Sequence, residues 1–106
     1  MMFDVFAPGS ATVVANATSA TAAVDLPSGA HELVLYNTSG TALTVVQVTA
    51  YEGANVPTGD APTLTSGFPV PPGQLLRIRV GPGGKVIRTI ASSADGNIWI
   101  VPGNGG

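Results

Sequence analysis

The stretch "ELVLYNTSGTALTVVQVTAY", residues 32 to 51, places two runs of β-favouring residues on either side of a turn signal. Residues 32–36 and 42–51 are rich in Leu, Val, Thr and Tyr, and "NTSGT" at 37–41 supplies the Asn, Ser and Gly that turns favour. The stretch therefore predicts two consecutive strands. The same alternation of β-favouring runs and turn signals recurs along the rest of the chain. This alternation therefore decides the fold class.

Similar runs predict strands at residues 11–15, 21–25, 75–80, 86–91 and 97–101, and an arm or edge strand at 3–6. Turn signals lie between them: "PSG" at 27–29, "PPG" at 71–73, "GPGG" at 81–84 and "DG" at 95–96. No segment shows the 3.6-residue period of a capped helix. This spacing predicts an all-β, antiparallel β-sandwich, jelly-roll-like, with essentially no helix.

The length of 106 residues predicts a single β-sandwich domain, 1–106, with residues 1–9 as an N-terminal arm and 102–106 as a flexible tail. Residues 53–73 form the one long irregular segment and are rich in proline. A loop of this length in a small domain is usually functional or related to assembly. The alternative is a pair of edge segments that proline makes rigid.

Charged residues make up 9% of the chain, against roughly 25% in typical soluble domains, and the formal net charge is −2. Copies of such a chain repel one another weakly, which favours a protein that works assembled, as a trimer in preference to a dimer. A neutral surface of Thr and Ser that is simply soluble is the alternative. The absence of cysteine excludes disulfides and thiolate chemistry. No secretory signal and no apolar run of about 18 residues occur, so we expect synthesis in the cytoplasm and no membrane partner.

The single histidine, His31, is followed by Glu32, and adjacent residues of a strand point to opposite faces. No Gly-x-Ser-x-Gly elbow is present to make a serine nucleophilic, and no spacing of the six carboxylates favours glycoside hydrolysis. "GPGG" opens no helix, so it is not a phosphate-binding loop. The sequence predicts a protein that is not an enzyme, with no catalytic residue, no metal and no cofactor.

The segment "QLLRIRVGPGGKVIR", residues 74–88, contains every Lys and Arg of the chain: Arg77, Arg79, Lys85 and Arg88. Interpreted as a hairpin closed by "GPGG", it would place Arg77 opposite Arg88 and Val80 opposite Lys85. The sequence pI of about 4.9 and the lack of aromatic residues in the hairpin disfavour direct binding of nucleic acid.

In that segment Leu76, Ile78 and Val80 share the inward face of a strand, and Arg77 and Arg79 share the outward face. Arginine suits contacts with carboxylates, so we expect the four cations to bind a partner protein, with the acid coming from a neighbouring copy or another protein. The alternative is a solvated edge strand whose arginines prevent aggregation.

Two aromatic stretches add to these expectations. Phe3 and Phe6, on the terminal arm, are a second set of candidate docking residues. Residues 98–101 are apolar on both faces, which predicts a central strand covered on both sides, with Trp99 in the core or in an oligomer seam.

The order of these blocks resembles a known group of proteins. Leu26, Pro27 and Gly29 precede a hydrophobic strand at 33–37 and Gly40, then come the turn at 71–73 and the closing stretch at 98–103. This arrangement is similar to that of the small all-β proteins encoded among the head genes of tailed bacteriophages. The resemblance implies a capsid cement or decoration protein that binds the major capsid protein on the outer surface of the virion. A carbohydrate-binding module associated with a phage tail or fibre is the alternative function.

Overall fold

The computed structural model describes residues 7–8, 11–26, 29–52, 55–81 and 83–104. Within these ranges the chain forms nine β-strands and no helix, and hence no helix of the length and apolarity that crossing a membrane requires. The strands are β1 (Ala7–Pro8), β2 (Thr12–Ala15), β3 (Val24–Leu26), β4 (Glu32–Asn37), β5 (Thr44–Tyr51), β6 (Phe68–Val70), β7 (Leu75–Arg79), β8 (Gly84–Ala91) and β9 (Asn97–Asn104).

The strands form two antiparallel sheets. In sheet A, β9 and β4 are central, β7 is one edge, and β1 and β2 both pair with β9 at the other edge. In sheet B the order is β3-β8-β5-β6. From β2 onward, every connection crosses between the sheets except that from β5 to β6. These connections and the two strand orders are those of the eight-stranded jelly roll. The prediction of an all-β antiparallel sandwich is confirmed.

The core lies between the sheets and is built from alternate residues of each strand. The inward side chains that are buried and in mutual contact are Leu26, Leu33, Leu35, Val46, Val70, Ile87, Ile98 and Ile100. The predicted inward face of β7, formed by Leu76, Ile78 and Val80, packs against this cluster and is confirmed. Burial of this many branched aliphatic side chains supplies most of the favourable free energy of folding.

The interpretation of residues 74–88 as one hairpin is wrong. β7 pairs with β4 in sheet A, whereas β8 pairs with β5 and β3 in sheet B. The expected pairs Arg77–Arg88 and Val80–Lys85 therefore do not form. Gly81, with a φ of 76°, begins a connection that crosses from one sheet to the other. A Gly- and Pro-rich signal predicts a change of direction but does not specify which strand each arm pairs with.

Three predicted boundaries also change. The irregular segment 53–73 contains β6, which pairs with β5 at the edge of sheet B, where a proline such as Pro69 is tolerated. Residues 102–104 of the predicted tail belong to β9, and residues 7–8 of the predicted arm form β1. The Phe3 and Phe6 stretch and residues 105–106 lie outside the described residues.

Residues 55–67 cross the outer face of sheet B, and we call this segment the strap. The backbone N–H of Asp60 donates to Thr49 Oγ1 at 3.0 Å. The backbone of Gly59 approaches Val86 so closely that an added Cβ would lie 2.8 Å from its Cγ2. Two outward side chains of sheet B, Val45 and Val86, are consequently only 1% exposed. The strap thus covers the part of the outer face of sheet B around Val45 and Val86.

A buried polar network closes one end of the sandwich. Asn37 is 0% exposed and donates from Nδ2 to the Ala42 carbonyl at 2.7 Å. Asn16 donates to the Asp95 carbonyl at 2.8 Å and accepts from Thr44 Oγ1 at 2.8 Å. Because these buried polar atoms are paired, their hydrogen bonds offset the cost of desolvation, and the network fixes the loops at this end.

Candidate functional site

The outer face of sheet A carries a row of exposed apolar side chains, one from each of four adjacent strands. Strand register places Val13 beside Trp99, Trp99 beside Tyr36, and Tyr36 beside Leu75. Their exposed fractions are 47%, 41%, 40% and 58% in that order. We call these four residues the apolar row. Water contacts apolar groups across the whole width of the sheet here.

The position of Trp99 corrects part of one prediction. β9 is a central strand, as expected, and Ile98 and Ile100 are 0% exposed on its inner face. Trp99 points to the other face, so it does not belong to the core of the single chain. The apolar pattern of residues 98–101 describes both faces of the strand correctly, but only the inner face is covered within one copy. Burial of Trp99 in an oligomer seam stays a prediction.

At the other end of the same face, two arginines of β7 share one carboxylate of β4. Arg77 Nε lies 2.5 Å from Glu32 Oε2, and Arg79 Nη2 lies 3.4 Å from Glu32 Oε1. Register explains the contacts, because Arg79 is directly opposite Glu32 and Arg77 is diagonal to it. We call these three residues the ion group. At least one acid near the two arginines therefore comes from their own chain. The sequence had led us to expect that acid from a neighbouring copy or another protein.

The residues of the ion group differ in their exposure to water. The two arginine side chains are 44% and 74% exposed, while that of Glu32 is 7% exposed beneath them. The hydrogen bond from Arg77, together with the charges of both arginines, holds the pKa of Glu32 below its ordinary value of 4.5, although burial opposes this. Along β7, Arg77 lies two residues from Leu75 of the apolar row, about 7 Å, and Arg79 lies four residues from it, about 13 Å.

The other two cations do not lie on this face. Lys85 is 2% exposed, and its Nζ donates to the Gly83 carbonyl at 2.6 Å and to the Ala30 carbonyl at a longer 3.5 Å. Burial lowers the pKa of Lys85 from its ordinary value of 10.5. Arg88, under the strap, donates from Nε to the Thr21 carbonyl at 2.9 Å. The four cations that are clustered in the sequence therefore occupy three separate places in the fold.

Within the described ranges, the His31 side chain makes no hydrogen bond to an acid or to a nucleophilic side chain. His31 is exposed, and its backbone carbonyl accepts hydrogen bonds from the N–H groups of Val80 and Gly81, at 2.8 and 3.2 Å. Ser39 Oγ donates to Asp95 Oδ2 at 2.6 Å, but it also accepts from the Ala42 N–H and serves the polar network. The described ranges hold no group of three His, Cys, Asp or Glu side chains that could bind a metal ion.

The apolar row includes Val13, Tyr36 and Leu75, which sequence reasoning did not single out. Each is an ordinary apolar residue on a predicted strand, and only the strand register brings the four together. Searches with protein-family models, curated proteins and solved structures find no match to this chain. The site is therefore argued from its own geometry.

Proposed function

We propose that the protein is a non-enzymatic capsid cement or decoration protein of a tailed bacteriophage. It binds the major capsid protein on the outer surface of the shell and acts as a homo-oligomer, a trimer in preference to a dimer. The observation that carries the proposal is the exposed apolar row beside the ion group on the outer face of sheet A. The jelly-roll architecture occurs in viral capsid proteins and also in lectins, so the fold alone does not determine the function.

The chemistry of this face supports protein contact. Exposed apolar patches of a few hundred Å² commonly mark contact sites, and four adjacent large side chains reach that scale. Aromatic residues and arginine are enriched in protein interfaces, with apolar groups at the centre and polar groups at the rim. The apolar row and the ion group reproduce this division of roles along one face.

The mechanism is mechanical. A copy seated across the seam between two capsid subunits adds contact area that must be lost before the subunits separate. A single sheet face is small beside the roughly 800 Å² that each partner buries in a standard interface. Oligomerisation compensates, because linked copies raise the effective concentration of the second and third contacts. Repetition over the shell then resists the internal pressure of packed DNA.

The test is co-sedimentation with undecorated shells assembled from the major capsid protein encoded nearest the gene of this chain. We expect wild-type protein to occupy the shells at saturation and to raise the temperature at which they disassemble. The double variant Arg77→Glu/Arg79→Glu is expected to lose occupancy, since charge reversal at an interface costs on the order of 2–5 kcal/mol per site.

A matched pair controls for the general effect of added negative charge. Leu75→Asp changes the apolar row, and Ala94→Asp places the same residue at an exposed position outside the row and the ion group. Leu75→Asp is expected to lower occupancy and Ala94→Asp to leave it unchanged. Shells that bind no wild-type protein, or that bind all variants equally, would contradict the proposal.

Binding of carbohydrate is the second candidate, and one observation favours it. Trp99 and Tyr36 are cross-strand neighbours that are both about two-fifths exposed, and the exposed Asn97 lies two residues along β9 on the same face. Aromatic platforms with an amide at hand are common in sugar sites. Screening on a glycan array separates the two functions. A glycan that binds the wild type would favour the carbohydrate-binding module if Trp99→Ala abolishes its binding. Phe68→Ala, which removes another exposed aromatic side chain, should leave that binding intact.

A further inference from the structure

A groove opens on the outer side of sheet B, between the end of the strap and β6. It has a volume of about 340 Å³ and is lined by Val45, Leu64, Thr65, Ser66, Gly67 and Pro69. Val45 and Pro69 are cross-strand neighbours on β5 and β6, and Leu64 of the strap is 46% exposed. None of the lining residues is charged, so the groove suits an apolar side chain, which needs no polar partner.

The size of the groove matches an aromatic side chain. Apolar cavities of roughly 150 Å³ hold one benzene ring, so this groove has room for a phenyl ring and the groups beside it. The apolar row of sheet A is four strands wide, about 14 Å, and is too broad to enter it. Register places Phe68 on the same side of β6 as the buried Val70, so the other phenylalanines of the chain, Phe3 and Phe6, are the candidates.

The base of the N-terminal arm lies far from the groove of its own copy. Ala7 pairs with Asn104 at one end of β9, and Ile98, six residues away, lies near the other end. That separation is about 20 Å. The groove is at the Ile98 end, because Ile98 pairs with Asn37, whose side chain donates to the carbonyl of Val70 in β6. The groove is also on the other sheet, about 10 Å away, so the two places are at least about 22 Å apart.

The chain between Phe3 and β1 is too short to cross that distance. Phe3 precedes Ala7 by four residues, an extended length of at most about 14 Å, and Phe6 directly precedes Ala7. The length of the side chain does not make up the difference. A straight line between the two places also runs through the core, so a path around the outside is longer still. A phenylalanine of the arm can therefore enter this groove only from another copy of the chain.

We infer that residues 3–6 of one copy dock in the groove of the next copy, with a phenylalanine ring against Leu64 and Pro69. An aromatic side chain in a fitted pocket is the kind of anchor that dominates interface energetics. The contact joins an arm to a groove, two different surfaces, so it is heterologous. Each copy offers one arm and one groove, and a closed ring, such as the trimer of the proposed function, uses all of them. The inference rests on the self-association in the proposed function and does not depend on binding to a capsid.

Sedimentation velocity over a range of concentrations, in the absence of shells, measures association between copies. The arm variant is Phe3→Ala/Phe6→Ala, and the groove variant is Leu64→Asp, which places a charge in the uncharged groove. Val56→Asp is the matched control, because Val56 is a 50% exposed apolar residue of the strap outside the groove. We expect the arm and groove variants to associate at least about tenfold more weakly than the wild type, and Val56→Asp to associate normally. Circular dichroism verifies that all three keep the β fold.

Mixing the arm variant with the groove variant gives the decisive result. The intact arm of the groove variant can enter the intact groove of the arm variant, and the resulting pair leaves only the altered arm and the altered groove free. An equimolar mixture is therefore expected to form a dimer with one copy of each and nothing larger. A labelled peptide with the sequence of residues 1–9 should also bind the arm variant, and addition of Leu64→Asp to that variant should weaken the binding at least about tenfold.

The inference is overturned if wild-type protein stays monomeric at every concentration, or if the mixture forms no dimer. It is also overturned if Leu64→Asp and Val56→Asp weaken association equally. Normal association of the arm variant would indicate a different contact between copies and would overturn the inference while leaving the proposed function intact. Association that depends on the arm, without any binding to shells, would support the inference and count against the capsid function alone.

Discussion

Sheet A and sheet B differ in what lies on their outer faces. The outward Val45 and Val86 of sheet B are 1% exposed beneath the strap, whereas the outward Trp99 and Tyr36 of sheet A are 41% and 40% exposed. Both faces carry large apolar groups, so the difference does not arise from a polar outer surface on one of them. The strap covers part of the outer face of sheet B, and no described segment lies over the apolar row of sheet A.

This difference indicates which face is available for another molecule. An antiparallel sheet that faces water usually alternates apolar inward residues with polar outward ones. Sheet A departs from that pattern at the apolar row and returns to it at the ion group. The departure is the reason to assign contact to this face, and the following variants test it in order of decreasing expected effect.

The largest expected effect separates the two sides of β9. Ile98→Ala removes a fully buried side chain and is expected to lower the free energy of unfolding by about 4 kcal/mol. Trp99→Ala, one residue away, is expected to lower it by about 2 kcal/mol in the isolated copy, since Trp99 is 41% exposed already. Urea denaturation at low protein concentration measures both. Similar losses for the two variants would mean that the outer face of sheet A is covered.

Gly67→Ala is designed to uncover sheet B. Gly67 has a φ of 112°, and an added Cβ would lie 2.6 Å from the Val46 carbonyl oxygen, so the strap must move away. We expect a loss of about 3 kcal/mol and faster hydrogen exchange in β5 and β8. The control is Gly73→Ala, at φ 71° with open space around it, which should cost about 1 kcal/mol from backbone strain alone. Equal losses would show that the strap does not depend on this close approach.

Lys85→Met tests the cation that lies inside the sandwich and on neither outer face. Burial lowers the pKa of Lys85 in the folded state, so the unfolded chain binds more protons between that lowered pKa and 10.5. Wild-type stability should rise with pH through that window, and the rise should vanish in the variant. Near neutral pH we expect Lys85→Met to stabilise the fold by on the order of 1 kcal/mol. A destabilised variant with an unchanged pH profile would contradict this account.

The smallest expected effect is on the contribution of the ion group to stability, and it is seen only at acidic pH. Because the pKa of Glu32 is lowered in the folded state, the stability that it contributes is present above its ordinary value of 4.5 and is lost as the pH falls through the folded value. In Glu32→Gln the denaturation midpoint should vary less steeply with pH in this range. Glu52→Gln, at an exposed glutamate, is the matched control. If the denaturation midpoint of the wild type and of Glu32→Gln varied with pH in the same way, the ion group would not contribute to the stability of sheet A.

The alternation of apolar residues was sufficient to predict the sandwich and most of its strands. Residues 32–36 and 97–101 are strands as expected, and the inward residues of β7 face the core. The local pattern does not contain strand pairing, which is why two arms joined by "GPGG" were assigned to one hairpin although they belong to different sheets. The alternative of edge segments for residues 53–73 agrees with β6, an edge strand that contains Pro69, but the pattern did not give its bounds or its pairing with β5.

The candidate site was predictable only in part, because it too depends on strand pairing, which the local sequence pattern does not contain. Alternation placed Arg77 and Arg79 on the outward face correctly. The contact with Glu32 depends on β7 pairing with β4, across more than forty residues of sequence, and no local signal encodes it. The apolar row needs three such pairings at once.

The position of β9 has a consequence for how the molecule is made. β9 is central in sheet A and pairs with β1, β2 and β4, yet eight strands precede it in the chain. During synthesis β4 can pair with β7, but β1 and β2 have no partner strand in sheet A, and one edge of β4 stays unpaired, until β9 emerges. Contacts between residues so distant in sequence close slowly and expose nascent chains to aggregation. Shortening β9 at residues 102–104 should therefore reduce the yield of soluble protein in the cell more than it reduces the stability of the molecules that do fold.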